Sequence, residues 1–199
     1  MAYFAFDFKD HHKQSRLDMI PSLLTQLSAQ SNRRCEILSR LYSEYDRGAQ
    51  TPTGSVLTGC LKDMLSLPGE GHVYLIIDGV DECPNTTGVP SPREEVLELL
   101  EELVELHFPN LWLCVTSRPE TDIQTVLEPL ASFSVSLHDE SGQKQDIVNY
   151  IRDTVHSDRT MRKWRVEDQE LVIETLSERA GGMSAFRHAP YSIAHIYVM

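Results

Sequence analysis

The stretch from residue 72 to residue 118 constrains the fold more than any other. "HVYLIID" (72–78) is a near-continuous run of strand-favouring residues, and "LWLCVTSR" (111–118) is a second. Between them "REEVLELLEELVELH" carries a helical period. Val96, Leu100, Leu103, Val104 and His107 form an apolar stripe, opposed by Glu98, Glu101, Glu102 and Glu105. Strand, crossover helix, strand is the βαβ unit of a parallel sheet, with a right-handed connection expected. Runs this apolar predict strands covered by helices on both faces, a three-layer α/β arrangement.

The flanking sequence extends that pattern. "YFAFDF" (3–8) predicts a strand, and three helices follow. The first carries Leu17, Ile20, Leu24 and Leu27; the second carries Cys35, Leu38, Leu41, Tyr42 and Tyr45 and ends at Gly48. The third carries Val56, Leu57, Cys60, Leu61, Met64 and Leu65 and stops at Pro68-Gly69. Phe133, Val135 and Leu137 alternate with serines as a fourth strand, and two amphipathic helices are expected around 147–155 and 167–179. Beyond "ERAGGM" (178–183), "SAFRHAPYSIAHIYVM" keeps neither a helical nor a strand period. The expected organisation is a core over 1–139, the start of a helical region over 140–183 and a divergent tail over 184–199.

Charge and cysteine usage exclude several functions. The net charge is -12 and the Lys and Arg residues form no stripe, which argues against nucleic acid or an anionic membrane as the main partner. No run reaches the ~18 apolar residues of a membrane span, and the N-terminus lacks the basic start of a signal peptide, so a cytoplasmic location is expected. Cys35, Cys60, Cys83 and Cys114 lie far apart with no C-x-x-C pair, which reads as reduced core residues and not as a metal site. His11-His12 lacks the i, i+4 spacing of a zinc pair.

The chemistry sits at the strand ends. "LIIDGVDEC" (75–83) delivers Asp78, Asp81 and Glu82 at the tip of one strand, and Thr116, Ser117 and Arg118 end the next. A buried strand is stiff, and parallel sheets bind ligands at the C-terminal ends of their strands. Asp78 there can hold Mg²⁺ through water, and a carboxylate three or four residues on can orient an attacking water. The Arg118 guanidinium suits a γ-phosphate. The bland alternative is a surface turn with three solvated acids. The second strand tip, one helix away, favours the nucleotide reading.

These residues resemble a known family. "VYLIIDGVDEC" and "LWLCVTSRPE", with "YFAFDFKD" before and "DIVNYI" after, are similar to NACHT-type STAND NTPases, and most of all to their fungal, NLR-like signalling branch. The resemblance implies a P-loop NTPase-like parallel sheet that uses ATP or GTP with Mg²⁺. It implies partners among other protein domains or in self-association. It matches Asp78 to the metal-associated Asp of Walker B, Asp81 and Glu82 to the acidic pair that activates water, and Arg118, with Thr116 beside it, to the residues that read the γ-phosphate. "VEDQELVIETLSERAGGM" resembles the start of the helical region after such a core.

Two departures accompany the matches. No G-x₄-G-K-[ST] phosphate loop occurs. Gly54 to Gly59 has the glycine spacing, but Cys60-Leu61 follow instead of Lys and Ser or Thr. The resemblance places the strand preceding that loop between "LWLCVT" and "FSVSL", so the sheet is expected to be incomplete, with a gap there or with those two strands forced together. The tail after "AGGM" also departs from the family. The expected function is that of a partial core of a nucleotide-switched signalling or scaffold protein, inactive alone. The alternatives are a non-enzymatic interaction module using the acidic helix 93–107 or the exposed sheet, or a non-functional gene fragment.

Overall fold

The computed structural model describes residues 1–86, 90–136, 141–181 and 195–199, and divides into two compact units, Met1–Val135 with His195–Met199 and Ser136–Ala194. The first unit is built on five strands: β1 (Ala2–Ala5), β2 (Val73–Asp78), β3 (Leu111–Ser117), β4 (Phe133–Ser136) and β5 (His195–Val198). Their order in the sheet is β1-β2-β3-β5-β4. The pairs β1–β2 and β2–β3 are parallel, as the strand–helix–strand pattern requires. β5 runs antiparallel to β3, so the sheet is mixed and not all-parallel as expected.

Between β1 and β2 lie α1 (Arg16–Ser28), α2 (Asn32–Glu44) and α3 (Gly54–Leu65). α4 (Pro92–Glu105) joins β2 to β3, and α5 (Thr121–Leu130) joins β3 to β4. The starts are chemically marked. Ser15 and Ser31 cap α1 and α2 by accepting from Asp18 and Arg34 backbone N–H groups. α4 opens with a full capping box: the Glu94 N–H donates to Ser91 Oγ (3.2 Å) and the Ser91 N–H donates to Glu94 Oε2 (2.7 Å), with Pro92 as the first helical residue. The second unit contains α6 (Ser141–Ser157) and α7 (Val166–Gly181), packed against each other.

The strands were expected to be covered on both faces; among the described residues of this unit the helices cover one. Register places Ala2, Leu75 and Leu113 in one row and Phe4, Ile77 and Val115 in the next, all buried. They share a single core with Leu24 of α1, Leu61 of α3, Leu100 of α4 and Leu127 of α5. The intervening residues turn to the other face, where Tyr3, Tyr74 and Trp112 are 45%, 48% and 49% exposed. Stepping from β1 to β2 to β3 in one direction, with crossovers of one hand, brings the connecting helices to one face. An apolar run such as "VYLIID" cannot reveal this, because tyrosine and isoleucine tolerate a half-exposed face.

Two further expectations change. His107, placed in the apolar stripe of the acidic helix, lies beyond α4 with φ 47° and is exposed, while Leu97 and Leu99 are buried. The tail shows neither a helical nor a strand period, yet residues 195–198 form β5 between β3 and β4, so neither a gap nor direct pairing of those strands occurs. The serine alternation at β4 does not mark a core face, since Phe133 is exposed; Leu137 lies outside the described residues. Of the cysteines, Cys60 and Cys83 are buried, Cys114 is half-buried and Cys35 is exposed.

Candidate functional site

The ends of β2 and β3 lie side by side, and the structure brings the five sequence-predicted residues to that edge. Asp78 and Thr116 leave their strands on the half-exposed face, and the Thr116 hydroxyl donates to Asp78 Oδ1. Tyr3, from the same face of β1, approaches Asp78 Oδ2 with its hydroxyl at 3.4 Å. Burial raises the Tyr3 phenol pKa, and the Asp78 carboxylate adds to the shift.

The chain then reverses through Gly79, whose φ of 69° is the left-handed conformation that favours glycine. The Gly79 N–H donates to Thr116 Oγ1 (3.0 Å), tying the turn to β3. Residues Val80–Glu82 form one 3₁₀ turn, with Val80 buried beneath it. That turn aims Asp81 at the end of β3: Asp81 Oδ1 accepts from the Arg118 N–H (2.9 Å), and Asp81 Oδ2 is paired with Arg118 Nε at 3.1 Å. Asp81 is thus 8% exposed and Arg118 is 46% exposed. Glu82 points toward the loop after β1, where its Oε2 accepts from the Phe8 N–H (3.2 Å).

Sequence reasoning missed the residue that holds this loop. Arg93, the second residue of α4, is buried behind the 3₁₀ turn. It donates to the carbonyls of Asp81 (2.6 Å) and Cys83 (3.0 Å), and pairs with Glu120 and with Asp122 (3.1 Å) at the start of α5. Burial works against its charge, but the Glu120 and Asp122 carboxylates outweigh it and raise its pKa further. One guanidinium therefore clamps the loop after β2 to the loop after β3. The only sequence signal was indirect: "SPRE" fixes the start of the helix and so the place of Arg93 on its first turn.

The donor set limits what can bind. Among the described residues, no group of three or more His, Cys, Asp or Glu side chains could enclose a metal ion. Asp81 is committed to Arg118 and Glu82 to the backbone of Phe8, so a direct carboxylate cage is not formed. Asp78, bonded by the Thr116 and Tyr3 hydroxyls, is the carboxylate of this edge that could help hold a hydrated cation.

The family model described as nephrocystin 3, N-terminal, matches residues 1–118. The chain belongs to the nephrocystin 3 N-terminal family. The matched region runs from β1 through the end of β3 and includes Asp78, Asp81, Glu82, Thr116 and Arg118, together with Arg93. No curated protein and no solved structure matches the chain. What the nephrocystin 3 N-terminal region has here is a parallel β1-β2-β3 core with a polar edge cross-linked by Thr116–Asp78 and Arg118–Asp81. No described helix is long and apolar enough to cross a membrane.

Proposed function

We propose that this chain is a partial NACHT-type STAND NTPase core, part of a nucleotide-switched signalling or scaffold protein that works through other protein domains or self-association. The observation that carries the reading is the parallel pairing of β2 with β3, which puts Asp78 and Arg118 at the same sheet edge. Parallel sheets take ligands at that edge. In this reading Asp78 holds the water shell of Mg²⁺, Thr116 orients the Asp78 carboxylate, and Arg118 meets the terminal phosphate of ATP or GTP. The metal ion supplies charge neutralisation on the phosphates.

Asp81 and Glu82 match the water-activating pair, but their present hydrogen bonds give them a different first task. Asp81 holds Arg118, and Glu82 holds the loop after β1. A phosphate drawing the Arg118 guanidinium away would free Asp81 Oδ2, while Asp81 Oδ1 keeps its bond from the Arg118 backbone N–H, so nucleotide contact and the release of one carboxylate oxygen would be the same event. That exchange is the switch we assign to this edge. The 199 residues contain no G-x₄-G-K-[ST] loop, and hence neither its backbone cradle nor its lysine charge.

Binding by this chain is therefore expected to be weak, with Kd about 1 mM or above, and without turnover. Titration of Mg-ATP and Mg-GTP followed by the amide resonances of Gly79, Thr116 and Arg118 tests this. Magnesium-dependent shifts confined to this edge, abolished by Asp78→Asn and by Arg118→Ala, are expected. Shifts elsewhere in the unit, or none up to about ten times that concentration, overturn the nucleotide reading. A micromolar Kd overturns the claim that the missing cradle matters.

A further inference from the structure

β5 is the element of the sheet that arrives out of order. β4 ends at Ser136 and β5 begins at His195, yet β5 lies between β3 and β4. It also runs against β3, whereas β1, β2 and β3 run together. Every other described strand of the unit is delivered before residue 137, so β3 and β4 present a slot until residues 195–199 enter it.

Those residues make the contacts of a bound peptide. Met199 and Leu113 exchange backbone hydrogen bonds: the Leu113 N–H donates to the Met199 carbonyl (3.0 Å), and the Met199 N–H donates to the Leu113 carbonyl (2.9 Å). On the other side, the Ser132 N–H donates to the Val198 carbonyl (2.9 Å). Between these ladders one side chain, Tyr197, is buried completely, opposite Val115. Main-chain bonds on both edges and a single aromatic anchor are how an extended segment is recognised by a sheet. The register also reaches the candidate site: Ile196 lies opposite Thr116 and His195 opposite Ser117, next to Arg118.

We propose that residues 195–199 are an exchangeable strand, the intramolecular ligand of a strand-binding slot formed by β3 and β4. The segment is short, has Tyr197 as the one fully buried anchor among its described side chains, and is separated from β4 by residues 137–194, so docking carries a closure cost. Its release is a local opening that leaves β1, β2 and their helices folded. While docked, it supports the β3 end that carries Thr116 and Arg118. The proposal rests on sheet topology and stands whether or not a nucleotide binds.

Native-state hydrogen exchange on the intact chain is the first test. The amides of Leu113, Ser132 and Met199 are expected to exchange about tenfold or more faster than the hydrogen-bonded amides of β2, through an opening insensitive to denaturant. A common rate for all of them, set by global unfolding, overturns the proposal. The second test uses a chain ending at Ala194 and a fluorescent peptide of residues 191–199. Saturable binding of that peptide, lost when it carries Tyr197→Glu, is expected. A shortened chain that keeps β2 protected but does not bind the peptide overturns the proposal. So does a shortened chain that loses β2 protection altogether, because the slot would then not exist without its strand.

Discussion

The two faces of the same three strands behave as different materials. On one, Phe4, Leu75, Ile77, Leu113 and Val115 interlock with α1, α3, α4 and α5 in a single core. On the other, Tyr3, Tyr74 and Trp112 are half exposed, and the row ends at Asp78 and Thr116. Alternation along a strand puts the residues that hold the unit together and those of the candidate site on opposite faces, at adjacent positions. Ile77 is buried, and its neighbour Asp78 stands on the half-exposed face at the candidate site. The edge can therefore be altered with little damage to the core, and the core can be damaged without touching the edge.

The largest test of that division is Ile77→Ala against Trp112→Ala. Loss of Ile77 should cost about 2–5 kcal/mol in a urea melt, since it leaves a cavity in a close-packed core. Loss of Trp112 should stay within about 0.5 kcal/mol, as for a surface position. Equal costs would mean that the half-exposed face is as tightly packed as the core.

Arg93→Met probes the link between the faces, because this side chain reaches from the core side to the site loop. Glu120 and Asp122 are 42% and 38% exposed and can return to water, so the loss comes mainly from the unsatisfied Asp81 and Cys83 carbonyls. A cost of about 2–4 kcal/mol is expected. The same variant should loosen Arg118, visible as faster exchange of its amide. A stability loss without that change would separate the clamp from the site.

Gly79→Ala comes next. Space is not the obstacle, since the nearest atoms to an added Cβ lie at 3.7 Å. The left-handed backbone is, at about 1–2 kcal/mol. If the turn relaxes instead, the Thr116–Gly79 bond breaks and the cost falls below that range, a result readable from the Gly79 amide shift.

The mildest perturbation is thiol labelling at neutral pH. Cys35 should react at the rate of a free thiol. Cys114, on the half-exposed face, should react more slowly; its pKa is raised by partial burial and by Asp78. Cys60 and Cys83 should react only on unfolding. Burial pushes their thiols up to about 11 and about 12, and Cys83 Sγ also donates to the Gln14 carbonyl (3.0 Å). The sign for stability follows from the raised values. The neutral thiols contribute stability that is complete below pH 9 and is lost as pH rises toward 11–12. Stability that is flat from pH 8 to 11 would contradict their burial.

Sequence alone determined what local chemistry encodes. The βαβ order, the helices at 16–28, 32–44 and 54–65, and the acidic strand tip at Asp78 follow from periodicity, capping residues and strand composition, each acting within a few residues. The adjacency of β2 and β3 followed too, because one crossover helix leaves few alternatives. Tertiary structure decided the rest. Which face of "VYLIID" is buried depends on the side to which the two crossovers, β1 to β2 and β2 to β3, bring their helices. Arg93 became a clamp only once α4 placed it behind a loop ten residues earlier in the chain. The strand at 195–198 carries no period of its own; unpaired backbone groups on β3 and β4 make it a strand, and those groups lie far away in sequence. Short-range signals are written in neighbouring residues, whereas a partner supplied across residues 137–194 is defined by the slot it fills.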